Sequence, residues 1–198
     1  EVRKWGDWIK HEAEKQLAEF YPKDPDGATP IAYLWARTIQ CEGPGCGAEV
    51  PLIRSLWLAK RPKRSVALYL VPQPRAKRVD FQIIVKQRGA WVDQDDTKTK
   101  IEDPKFDGTV KRGSATCPCC GYTTPVARVR EQLRERHGGA NDARLYCAVL
   151  TRPKEQGRHY RCAKESDAQV ASRARSELAR RIQEDKGHLS MIPNESTT

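Results

Sequence analysis

Cys41-Glu42-Gly43-Pro44-Gly45-Cys46-Gly47 and Cys117-Pro118-Cys119-Cys120-Gly121 are the two segments from which the architecture is read outward. Each sets two thiols across a tight turn. Each follows the second thiol with glycine, which takes positive φ freely and lets backbone N–H groups turn toward thiolate sulfur. Two such knuckles offer Cys41, Cys46, Cys117 and Cys120 to one tetrahedral site. Protein then fills every coordination position, so the expected metal is structural rather than catalytic. Four unrelated buried thiols are the alternative, and two turn-borne pairs with trailing glycines argue against it. Cys117 with Cys119 would also chelate, but the Cys117 to Cys120 spacing fits a knuckle better. Thiolate ligands alone do not separate zinc from iron; an isolated knuckle pair favours Zn2+.

The knuckles are far apart in sequence. Seventy residues separate Cys46 from Cys117, well beyond the roughly 15 to 20 of a compact ribbon. The intervening stretch is therefore read as an insertion at about residues 54–108. Within it, Val66, Leu68 and Leu70 alternate, as do Val79, Phe81, Ile83 and Val85 after Pro72-Gln73-Pro74, which predicts a two-stranded antiparallel ribbon.

Charge marks the same stretch. Residues 54–88 carry a net of +9, from Arg54, Lys60, Arg61, Lys63, Arg64, Arg75, Lys77, Arg78, Lys86 and Arg88 against Asp80. Residues 89–107 reverse to about −3, and a second surplus near +6 lies in residues 126–187. Positive charge beside apolar strands suits a surface that tracks phosphates, because each neutralised phosphate releases counterions. The candidate nucleic-acid contacts are Arg54, Lys60, Arg61, Lys63, Arg64, Arg75, Lys77 and Arg78; a merely solvated face is the plainer reading. Trp57 and Trp91 could stack on an extruded base, although buried packing suits each better.

Around this centre, Val2, Trp5, Ile9, Leu17 and Phe20 predict an amphipathic helix over residues 2–20, ended by Pro22. Pro30 to Ile39 reads as a strand leading into the first knuckle. Thr124 as cap with Pro125 in the first turn opens a helix along Val126, Val129 and Leu133, stopped by Gly138-Gly139. Leu145 to Leu150 is a buried strand candidate that makes Cys147 a core thiol, while Cys162 and His159 fall in a basic loop. A capping box of Ser166 and Gln169 starts a last helix along Val170, Ala174, Leu178 and Ile182, ended by Gly187.

The chain of 198 residues, 38% hydrophobic and +10 in net charge, suits one compact domain. Seven cysteines, an odd number without an export leader, favour metal ligation over disulfides. No apolar run approaches the roughly 18 residues of a membrane span, and the opening Glu1-Val2-Arg3-Lys4 is not a secretory leader. The expected compartment is the cytoplasm. His11, His137, His159 and His188 are scattered and build no catalytic group. There is no Gly-rich phosphate loop, no nucleophile elbow and no Asp-Pro-Pro-Tyr loop for a flipped base, so an independent enzyme is not expected.

Arg3-Lys4-Trp5-Gly6, Asp26 to Pro30, Ala32 to Thr38, Cys41 to Glu49, Pro51 to Leu58 and Ala115 to Pro125 resemble the zinc-ribbon region of bacterial and archaeal adenine-specific DNA methylases that contain such a ribbon. The resemblance runs from Val2 to about Cys162 and is most specific at the knuckles. It implies an insertion within a larger methyltransferase whose S-adenosylmethionine motif and catalytic loop lie outside this chain. Only the metal set Cys41, Cys46, Cys117 and Cys120 carries over.

The resulting expectation is an α+β four-cysteine zinc ribbon with an inserted basic antiparallel β-ribbon and flanking helices. Residues 1–29 form a helix and linker, 30–124 the ribbon core with its insertion, 125–190 a helix-strand-helix segment, and 191–198 a polar tail. The expected partners are DNA and the remainder of the parent enzyme, with RNA, or a bracing role without nucleic-acid affinity, as rivals.

Overall fold

The computed structural model describes residues 1–61, 64–136 and 142–185. Lys63, His137, His188, the glycine stops at 138–139 and 187 and the tail fall outside them. Among the described residues the chain is α+β, with three helices and three antiparallel sheets.

The longest strand, β1 (Thr29–Gln40), organises the molecule. Its first part pairs with β11 (Ala143–Thr151), from Thr29 opposite Thr151 to Arg37 opposite Ala143. Its last residues, Thr38 to Gln40, pair instead with β2 (Glu49–Pro51) and deliver the chain to Cys41. The run of β-branched and aromatic residues from Ile31 to Ile39 suits a strand with two partners. β12 (His159–Cys162) adds an edge beside β11. This corrects the loop expected there: Leu150 faces His159 and Cys147 faces Cys162 across the ladder.

The inserted stretch is larger than the expected two-stranded ribbon. It forms a five-stranded meander of β3 (Trp57–Ala59), β4 (Val66–Gln73), β5 (Arg78–Gln87), β6 (Ala90–Asp93) and β7 (Lys100–Ile101), in chain order. The two predicted alternating runs meet face to face, with Val66 opposite Val85, Leu68 opposite Ile83 and Leu70 opposite Phe81. These apolar pairs turn the meander onto the first sheet, where Leu68, Ile83, Val66, Ala36 and Cys147 share one buried cluster. Fully burying a Leu68-sized side chain contributes about 1.5–3 kcal/mol. The meander leaves and returns through one neck. Ser55 bridges Asp107, the Leu56 N–H donates to Phe106 O at 3.0 Å and the Gly108 N–H to Arg54 O at 3.2 Å. A Cβ at Gly108 would stand 2.0 Å from Ile53 O, so only glycine permits this approach.

A third small sheet, β8 (Val110–Lys111), β9 (Ser114–Thr116) and β10 (Thr123–Thr124), carries the second knuckle between its last two strands. Helix α2 (Val126–Glu135) packs Val129 and Leu133 against the knuckles. Pro125, not Thr124, is its cap residue, because Thr124 is buried and paired to Ala115 in β10.

α1 (Val2–Leu17) and the 3-10 turn Ala18–Phe20 form as expected, but no residue of the helix is buried. Trp5 and Trp8 are 60% and 57% exposed and pack edge-on against each other. α3 (Glu165–Glu184) starts two residues earlier than its predicted box. Lys164 is the cap and its N–H donates to the Asp167 carboxylate at 2.8 Å. Of its stripe only Val170 is buried, while Leu178 and Ile182 remain exposed. No described helix is long and apolar enough to cross a membrane.

Candidate metal centre

β1 and β2 hold the first knuckle, and β9 and β10 hold the second. Within the first, the Cys41 N–H donates to Ala48 O at 2.8 Å and the Cys46 N–H to Gly43 O at 3.0 Å. Within the second, the Cys117 N–H donates to Tyr122 O and the Gly121 N–H to Cys117 O, each at 2.8 Å. Gly47 and Gly121 sit at φ +59° and +76°, as the trailing glycines require.

Folding brings the four predicted ligands together across the long gap. The sulfurs of Cys41, Cys46, Cys117 and Cys120 all lie within 4.8 Å of one another, with Cys41 to Cys120 at 3.5 Å and Cys46 to Cys117 at 3.8 Å. Four thiolates at about 2.3 Å from one ion place sulfurs about 3.8 Å apart along tetrahedral edges. The donor set and spacing therefore fit a four-thiolate metal site. Cys119 is not part of it, and its Sγ points to Arg78 O at 3.5 Å.

Backbone amides converge on the sulfurs. The Gly43 N–H donates to Cys41 Sγ at 3.3 Å, those of Cys119 and Cys120 face Cys117, and that of Tyr122 faces Cys120. Burial nonetheless pushes the Cys41 thiol up to about 11, against the Gly43 N–H. Burial likewise raises Cys117, while the Tyr122 N–H draws Cys120 below the ordinary thiol value. Without metal the buried sulfurs hold their protons, so metal capture releases protons and tightens as pH rises.

The other thiols do not join the set. Cys147 is fully buried, its thiol pushed up to about 12 by burial, and Cys162 is raised to about 11 for the same reason. The Cys162 thiol donates to Phe81 O at 3.3 Å, tying β12 to β5. Trp57 stacks on Phe106 with centroids 4.2 Å apart, and Trp91 closes the cluster at 5.6 Å from Trp57. All three rings are half-buried in mutual packing.

The candidate basic residues divide into two groups. Lys60, Arg61 and Arg64 lie where β3 passes to β4, and Arg75, Lys77 and Arg78 lie where β4 turns into β5. All are exposed, as is Arg54 at the neck. Eight residues of β4 separate the groups, about 26 Å at strand rise. The second group touches the segments that carry the knuckles: the Glu49 N–H donates to Lys77 O at 2.8 Å, beside the Cys119 contact to Arg78. Arg78 pairs with Asp80 at 3.1 Å. Among the described residues the other candidates have no carboxylate within ion-pair distance.

Sequence reasoning missed His159. It is buried in β12 and accepts a hydrogen bond from Arg64 Nη2 at its Nδ1, 3.1 Å away. Burial, then the Arg64 charge, holds its pKa below the ordinary histidine value. No family model, no curated protein and no solved structure matches this chain.

Proposed function

We propose that this chain is a zinc-ribbon, DNA-binding domain of a larger S-adenosylmethionine-dependent, adenine-specific DNA methyltransferase, acting there as a target-recognition or substrate-clamping unit. The observation that carries the DNA reading is the set of exposed, unneutralised cations on one inserted sheet: Lys60, Arg61 and Arg64 at one end of β4, Arg75 and Lys77 at the other. Their separation of about 26 Å falls within one helical turn of duplex, about 34 Å, so one duplex can reach both. Such contacts give affinity and register rather than sequence readout.

Zn2+ bound by Cys41, Cys46, Cys117 and Cys120 would supply a rigid clamp beneath the Arg75 to Arg78 turn, with no open position for substrate. Methyl transfer itself would belong to the parent enzyme, whose cofactor and catalytic loop lie outside this sequence.

Anisotropy of a labelled duplex titrated with the chain across salt concentrations tests the reading. Log affinity should fall linearly with log salt, by about 0.9 per phosphate neutralised. Absence of binding at low salt rejects it in favour of a docking or bracing unit, a reading supported by the exposed Trp5 and Trp8 of α1. Competition with duplex RNA separates DNA from RNA as the partner.

A further inference from the structure

Lys60, Arg61 and Arg64 do more than decorate a loop. With Arg158 from the turn before β12 they surround a cavity of about 630 Å³, whose walls include Leu58, Val66 and Tyr160. That volume lies within the roughly 300 to 1,000 Å³ of small-molecule sites. Among the described residues four cations line it and no carboxylate does; Glu155 is turned instead to His159, 3.1 Å from its Nε2.

The cations are positioned without being neutralised. Arg64 donates to His159 Nδ1 at 3.1 Å, so its anchor is an acceptor nitrogen rather than an anion. Lys60 Nζ rests over the Trp57 ring, 5.3 Å from the centroid, and Trp57 is itself wedged against Phe106. A neutral anchor fixes a cation's direction and leaves its charge available, and a concave wall concentrates the field it makes. The floor is fixed as well, because the Tyr160 hydroxyl donates to Leu58 O at 3.1 Å and joins β12 to β3.

A lone inorganic anion would use the rim and leave the apolar floor wet. A ligand that uses both carries an anionic group on a flat or aliphatic body. We infer that this cavity binds a nucleoside phosphate, with its phosphate among Lys60, Arg61, Arg64 and Arg158 and its base or sugar against Leu58 and Tyr160. The choice of a nucleoside as the body rests on the nucleic-acid reading above. The shared chemistry covers two sources, a free nucleotide and one unit of a DNA strand.

The test is calorimetric titration of the whole chain with dAMP, deoxyadenosine and inorganic phosphate, followed by competition with a single-stranded oligonucleotide. dAMP should saturate, and both deoxyadenosine and phosphate should bind at least about tenfold more weakly, since a charge-assisted hydrogen bond is worth a factor of that order. Arg61→Ala/Arg64→Ala should weaken dAMP by a similar factor, with Arg158→Gln as a milder second variant. Arg75→Ala/Lys77→Ala should leave dAMP binding unchanged. Displacement of dAMP by the oligonucleotide assigns the cavity to a strand; its failure assigns it to a free nucleotide.

No dAMP binding, equal binding of phosphate and dAMP, or equal losses from the two double variants overturns the inference. Duplex binding that persists without dAMP binding removes the cavity site and leaves the proposed function standing. dAMP binding without duplex binding does the reverse.

Discussion

In residues 126–187 five arginines are turned onto carboxylates, most of them brought from elsewhere in the fold, whereas in residues 54–88 most of the described cations are left facing solvent. Arg128 reaches Glu42, Arg136 reaches Asp142, Arg144 reaches Glu49 and Asp80, and Arg152 reaches Asp26. Arg161 goes furthest: it lies between Asp24 and Asp167, with the three side chains 13%, 12% and 6% exposed. A similar surplus of charge in the sequence therefore means two different things. One region uses cations as internal fasteners, and the other presents them as a surface.

The largest break in that comparison would come from the shared support. Loading the four-cysteine centre with Zn2+ and then stripping it with a chelator should unfold the knuckles, loosen the Arg75 to Arg78 turn resting on them, and leave the Leu68 to Cys147 core protected. Amide exchange resolved by segment would report this, and uniform protection throughout would contradict it.

Next comes the fastener. Arg161→Met strands Asp24 and Asp167 in a poorly solvated site and should lower stability by about 3–5 kcal/mol, read from the denaturant midpoint, without altering the salt dependence of DNA binding. Asp167 gives the same interaction a pH signature. Burial would raise its carboxyl, but the Arg161 hydrogen bonds and the Lys164 N–H outweigh burial and hold it below the ordinary value of 3.8. A depressed carboxyl stabilises the fold above its unfolded value, and that contribution fades as pH falls through the folded one. Acid titration of stability should therefore steepen below about pH 4, and Asp167→Asn should remove that component.

For the surface, Arg75→Glu/Lys77→Glu should leave the unfolding midpoint within about 0.5 kcal/mol and reduce the salt slope by about 0.9 per lost phosphate contact. A finer version uses the backbone. Lys77 sits at φ +52°, a conformation glycine adopts freely. Lys77→Gly should weaken DNA binding while keeping or raising the melting temperature, which separates the charge from the turn that carries it. The smallest effect belongs to the exposed helix. Arg180 and Arg181 share Glu177 across turns of α3, and Arg180→Gln should shift neither the midpoint nor DNA affinity.

The features legible in the sequence were local ones. Knuckle turns, the alternation of β4 and β5, and the strand character of β1 each rest on residues a few positions apart. What was not legible depended on partners far along the chain. The strand His159 to Cys162 is short and mostly polar, so only β11 beside it identifies it. The α3 cap moved to Lys164 because Asp167 is held by Arg161, and the α2 cap moved because Thr124 is taken by β10. α1 shows the converse limit: periodicity located the helix correctly but not what its apolar face packs against.

The meander between the knuckles also bears on the order in which the protein assembles. Its five strands are neighbours in sequence as well as in space, so it can nucleate from hairpins while Cys46 and Cys117 are still apart. Closing a loop of seventy residues in one step is entropically unfavourable, and forming the neck at Ser55 and Asp107 first would shorten the loop left to close. Metal capture then becomes a late event, with a rate set by hairpin formation when metal is in excess. Stopped-flow refolding should show a folding rate of the meander insensitive to metal concentration, followed by ordering of the knuckles on metal capture, the two being already held near each other by the neck.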